Sequence, residues 1–265
     1  MVDRSHGQIA EREKPYRSYM QTLVYLLAAT TATLLSACGG GNGGGSAEHI
    51  DSEACFNAGF YREGTSINVN YSSRVNSAAA YESNLLHRVT SVNESNGVTS
   101  IFVSPDTGRT SIHYSIQNGA LLNHGSSSLG IGFGTRVVMA PPLQEVILME
   151  PGQTTSQNIV QTNDLNKPDS STRTTLKIAY TRTYVGRQKI STPLGRFDTC
   201  QFVVRNHIED IDNASDNRDK ESISWVAAEG PYRGLTLKTE TSTRTQTGIL
   251  TTASEATSVA QFDIK

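Results

Sequence analysis

Apolar side chains recur at every second position through much of this 265-residue chain. Ile67, Val69 and Tyr71 alternate with Ser66, Asn68 and Asn70, and Leu176, Ile178 and Tyr180 alternate with Thr175, Lys177 and Ala179. Cys200, Phe202 and Val204 share one face of a further run, as do Ile223, Trp225 and Ala227, and Leu235 and Leu237. A period of two belongs to extended strands with one buried face. Thr and Ser fill the positions between, where a β-branched residue suits a pleated, half-exposed surface. Asn96-Gly97 and Asn118-Gly119 each separate two strand-like runs. Asn-Gly there signals a type I′ hairpin, whose central residues both need positive φ. Pro141-Pro142, Pro151-Gly152 and Pro168 break the pattern, and residues 209–221 read as a long polar hairpin loop. Residues 76–88 fit a helix or a strand about equally. Roughly ten to twelve strands at such spacing predict an all-β fold, a single antiparallel, strongly curved sheet or partly open barrel. Neither a fixed repeat nor a second linker divides the later chain, so residues 58–265 read as one domain.

The N-terminal part is different. Residues 20–35 form the only sustained apolar run, about 16 residues against the roughly 20 that a spanning helix needs. Lys14 and Arg17 stand upstream, as in the positive region of a signal peptide. Leu35-Ser36-Ala37-Cys38 then resembles the lipobox of bacterial lipoproteins. In that family the chain is cut before the cysteine, whose thiol and new amine are acylated. The resemblance implies a cleaved signal helix over 1–37, lipidation of Cys38 and a tether over 38–57. An ordinary secretory signal with a chance cysteine is the alternative. Residues 39–46, GGGNGGGS, favour the tether, since such a linker is a flexible coil spanning roughly 16 Å. Gly39 stands where enteric lipoproteins kept in the inner membrane carry Asp, which implies the outer membrane, facing the periplasm. Met20 is a second possible start, but starting there would discard every charged side chain of the leader.

With Cys38 acylated, Cys55 and Cys200 remain. In an oxidising compartment they form a natural disulfide pair, with two separate buried thiols as the alternative. Beyond residue 37 the net charge is −3, from −2 for the whole chain. That excludes the basic footprint of a nucleic-acid binder.

Catalytic and metal motifs are missing. The chain has no Gly-x-Ser-x-Gly elbow, His-Glu-x-x-His pair or phosphate-binding loop. Gly130, Gly132 and Gly134 lack the spacing of a dinucleotide loop. His113 and His124 could face each other across the Asn118-Gly119 hairpin, and Asp210, Asp212 and Asp216 cluster. Surface histidines and a solvated loop explain them better than a metal, because a calcium loop needs a glycine that is absent here. No catalytic residue, metal or cofactor is expected, and the chain is not expected to be an enzyme.

The segments 141–154, 192–204 and 222–241 resemble a widespread, poorly characterised family of periplasmic proteins and lipoproteins. Its marks are a Pro-x-Gly-x-Phe turn, here Pro193, Gly195 and Phe197, and a Trp-bearing strand, here around Trp225. That family is distantly similar to the curled-sheet carriers of lipoproteins. The resemblance implies an envelope lipoprotein, and the anchor, the β architecture and the lack of catalytic motifs point to a lipid or other hydrophobic ligand held in the curved sheet. Trp225, Phe197, Tyr180 and Phe202 are the candidate lining, with Trp225 as plain core the alternative. The competing reading is a structural or interaction lipoprotein with a solid core that contacts another envelope protein.

Overall fold

The computed structural model describes residues 50–93, 98–103, 109–130 and 132–265. The lipobox, the glycine tether and the Asn96-Gly97 turn lie outside the described residues. Among the described residues twelve antiparallel strands follow one another: β1 (Ser66–Val75), β2 (Tyr81–Asn93), β3 (Val98–Val103), β4 (Arg109–Gln117), β5 (Ala120–Gly130) and β6 (Phe133–Val146). Then come β7 (Thr154–Lys167), β8 (Ser170–Thr192), β9 (Gly195–Asp210), β10 (Arg218–Ala227), β11 (Thr236–Thr245) and β12 (Gly248–Asp263). Each pairs with the next, and β1 pairs with β12 as well as β2, so the curved sheet expected from the alternation closes into a ring.

The turns follow their residues. Asn118 and Gly119, at φ 50° and 71°, link β4 to β5 between the paired Gln117 and Ala120. Both signs suit a type I′ turn. The ambiguous 76–88 segment divides into a turn and the start of β2, and the polar 209–221 loop shortens to residues 211–217 as β9 and β10 run into it. Asp210 accepts from the backbone N–H of Asp212 and of Asn213, and Asp212 accepts from that of Thr175, so these carboxylates tie down their own loop.

The buried faces are those of the apolar series. Ile67, Val69, Leu237 and Ala256 form one cluster with Ala227 and Leu235, and Ile159, Tyr180 and Val204 form another. β9 departs from simple alternation: residues 199–204 are buried on both faces. On the face opposite Phe202, Gln201 accepts from the Gln188 amide, whose oxygen in turn accepts from the Trp225 indole. The Lys238 ammonium lies 4.8 Å from the Trp225 ring centre.

The segment before β1 plugs one end of the ring. Its two 3-10 turns, Glu53–Cys55 and Ala58–Tyr61, send side chains to strands all round it. Cys55 joins Met149, Tyr184, Cys200 and Phe202; Phe60 joins the β1–β11–β12 cluster; Phe56 and Tyr61 pack on Val89, Tyr114 and Leu121. Residues 51–57, assigned to the tether on sequence, are therefore part of the packed domain. Backbone contacts hold the plug: Ser52 Oγ donates to Ile147 O at 2.6 Å, Tyr184 Oη to Ile50 O at 2.6 Å, and Arg233 Nε to Ala54 O at 2.7 Å. Cys55 and Cys200 are disulfide-bonded, with Cα atoms 6.0 Å apart, as the thiol count predicts.

Candidate functional site at a seam in the barrel wall

Pro141 and Pro142, expected to break the chain, sit inside β6. They interrupt pairing instead of the strand. The β6–β7 ladder runs from Gly134–Asn166 to Ala140–Val160 and stops. Beyond it, β6 keeps its pairing with β5 through residues 143–146, and β7 keeps its pairing with β8 through residues 154–159. Proline has no N–H to give a ladder, so it belongs at such an interruption. The register shift between Asn123 and Gly125 falls beside it.

Side chains stitch this seam. Gln157 donates from Nε2 to Pro142 O at 2.7 Å and accepts from Gln144 N at 2.9 Å. Arg182 reaches over from β8, with Nη1 donating to Val146 O at 2.9 Å and Nη2 lying 3.7 Å from Glu145 Oε2. The guanidinium carbon lies 4.1 Å from the Phe202 ring centre, a cation–π contact. Glu145 stands opposite buried Leu121 and in series with Leu143, which packs on Tyr180, so its carboxylate is on the inner face. Yet its side chain is 33% exposed, against 12% for Arg182. Solvent reaches the pair.

Three tyrosines surround it. Tyr180 precedes Arg182 by two positions on the same face of β8, Tyr114 comes from β4, and Tyr61 comes from the plug. The rings of Tyr61 and Tyr114 meet edge to face at 5.5 Å. Burial pushes all three hydroxyls above the ordinary tyrosine range, and the Glu145 charge pushes each the same way. Arg182 offsets part of that rise at Tyr61 and Tyr180. Tyr180 is 4% exposed, and its hydroxyl has no hydrogen-bond partner among the described residues. Asn206, its register partner on β9, has an unpartnered Oδ1 in the same sense. Buried polar atoms are nearly always paired, so an orphan marks a place where a further group belongs.

Of the four lining residues expected from sequence, the structure brings two together: Tyr180 and Phe202 both flank Arg182. Trp225 lies on the other face of its strand, bonded to Gln188, and Phe197 packs in the β1–β11–β12 cluster with its ring 6.1 Å from that of Tyr232. Glu145 and Arg182 were missed. Their signal was a charge inside an apolar series, Leu143-x-Glu145 and Tyr180-x-Arg182-x-Tyr184. His113 and His124 do face across their hairpin, each ring bonded to a serine, Ser127 and Ser115. No group of three metal-binding side chains occurs among the described residues.

No protein-family model matches the chain, and no curated protein matches it in sequence. The family resemblance read in residues 141–241 therefore has no such match behind it. Three solved structures are similar over about three quarters of the chain. A candidate lipoprotein from Parabacteroides distasonis is 10% identical, with a TM-score of 0.38 over 76% of this chain and 97% of its own. A candidate exported protein with a YmcC-like fold from Bacteroides fragilis is 12% identical, with a TM-score of 0.35 over 76% and 97%. The hypothetical lipoprotein YmcC from Escherichia coli is 9% identical, with a TM-score of 0.34 over 77% and 88%. Likenesses this slight carry no argument, and the functional reading rests on the chain's own residues.

Proposed function

We propose that this chain is an envelope lipoprotein, held by acyl chains on Cys38 at the outer membrane and facing the periplasm. Its barrel binds a lipid or other amphiphile and does not transform it. The lipobox residues and the glycine tether support the anchor, and the Cys55–Cys200 bond fits an oxidising compartment. One observation carries the binding reading. On an inner face where apolar clusters are interspersed with polar side chains such as Gln161, Asn206 and Lys220, a solvent-reached carboxylate–guanidinium pair lies beside a buried hydroxyl that no group among the described residues satisfies. A polar group at the end of an apolar molecule matches that mixture of surfaces.

Palmitate labelling tests the anchor. Cys38→Ala should abolish incorporation, and labelling that survives it would move the anchor elsewhere. Native mass spectrometry of the detergent-extracted protein tests binding: a co-purifying amphiphile is expected. A ligand-free mass that takes up no added fatty-acid probe would leave the competing role, a solid-cored lipoprotein that contacts another envelope protein. The four apolar clusters and the plug favour that second reading.

A further inference from the structure

The seam is selective in chemistry as well as position. Arg182 spends one nitrogen on Val146 O and presents the other loosely to Glu145, at 3.7 Å rather than hydrogen-bond distance. The Glu145 side chain keeps 33% of its surface open to solvent. The Tyr180 hydroxyl has a proton to donate and no acceptor among the described residues. A group that satisfies all three must carry an anionic acceptor, for Arg182 and Tyr180, and a cationic donor a short distance away, for Glu145. A simple anion drawn to Arg182 would compete with Glu145 for it and leave that carboxylate without its partner, and a simple cation on Glu145 would do the same to Arg182. Charges in a partly dry site are tolerated only when each finds its opposite.

We infer that the seam between β6 and β7 binds a zwitterionic ammonium–phosphate or ammonium–carboxylate group, its cation on Glu145 and its anion on Arg182 and Tyr180. The group would lie where the ladder is interrupted after Ala140–Val160, beside the Gln157 stitch. This inference rests on the amphiphile-binding reading for its lipid source, and a free zwitterion would supply the same chemistry.

Titration calorimetry on the detergent-extracted full chain separates these cases. The probes are dihexanoyl-phosphatidylethanolamine, dihexanoyl-phosphatidylglycerol and free phosphoethanolamine. The ethanolamine lipid should bind at least about tenfold more tightly than the glycerol lipid, the scale of one charge-assisted hydrogen bond. Glu145→Gln should bring the two lipids to within about twofold of each other, while Tyr180→Phe should weaken both alike. Free phosphoethanolamine binding as tightly as the lipid would identify a small zwitterion as the source, and a lipid-only response would identify a head group. Equal binding of the two lipids by the unaltered protein would overturn the zwitterion and leave the amphiphile reading standing. A preference that survives Glu145→Gln would overturn the site. If none of the three probes binds, both readings fall.

Discussion

Tyr180 shows how one residue can serve folding and binding unequally. Its ring belongs to the cluster with Ile159 and Val204, but its hydroxyl is buried without a partner among the described residues. Removing water from an unpaired hydroxyl costs about 1–3 kcal/mol. Tyr180→Phe should therefore raise the stability of the ligand-free protein, by up to about 1 kcal/mol, read as an upward shift in Tm. A lower Tm would show that the hydroxyl is satisfied after all. Residues of this kind were only partly legible. Tyr180 stood out in sequence as an apolar position in a strand series, and the Cys55–Cys200 pairing followed from counting thiols. Glu145 and Arg182 did not stand out, because an isolated charge in a strand usually points to solvent. Only the pairing of Glu145 with buried Leu121 turns its carboxylate inward.

Among the elements, the plug and the seam depart furthest from what alternation can show. Period two reports strands, and so β1, β8, β9 and β10 were readable from their apolar series. It is silent about a segment such as 51–65, whose short 3-10 turns have no repeat to display. It also misreads Pro141-Pro142, since a proline pair ends a ladder on one side without ending the strand. The plug is fastened by its disulfide and by carbonyls held by Arg233, Tyr184 and His87, whose ring nitrogen lies 2.8 Å from Phe60 O. Cys55 and Cys200 are separated by 145 positions, and a cross-link of that span contributes roughly 5 kcal/mol in the chain-entropy model. Reduction should lower Tm and expose the plug, so that trypsin cuts after Arg62 faster in the reduced than in the oxidised protein. Equal cutting in both states would mean that the disulfide does not fasten the plug.

For the whole molecule, the buried titratable groups set a stability curve with a maximum. Burial lowers the Lys220 ammonium from 10.5 to about 8, with Arg218 adding to the fall. Below pH 8 the lysine is charged in both states, and its burial subtracts from stability. As pH rises through 8 the folded protein loses that proton first, while the unfolded chain holds it to about 10.5, so stability rises across this window. The buried hydroxyls of Tyr61, Tyr71, Tyr114 and Tyr180 act the other way. Above pH 10 the unfolded tyrosines ionise before the folded ones, and stability falls. Urea unfolding from pH 7 to 11 should therefore peak between about 9 and 10, where four tyrosines begin to outweigh one lysine, and Lys220→Met should flatten the rising limb. A rising limb unchanged in that variant would assign it to another group.

The ring itself was not legible. Alternation says that a strand has two faces, and nothing in it says which strands lie at the edges, or whether any do. Closure depends on β12 returning to β1, where Ser66 bonds to Gln261 across 195 positions. That return has a consequence for how the protein is made. Eleven hairpin-linked strands can assemble in order, yet they leave β1 and β11 as two bare edges until β12 is in place. A partly folded barrel of this connectivity therefore carries two adhesive rims, and it loses them only when β12 pairs with β1.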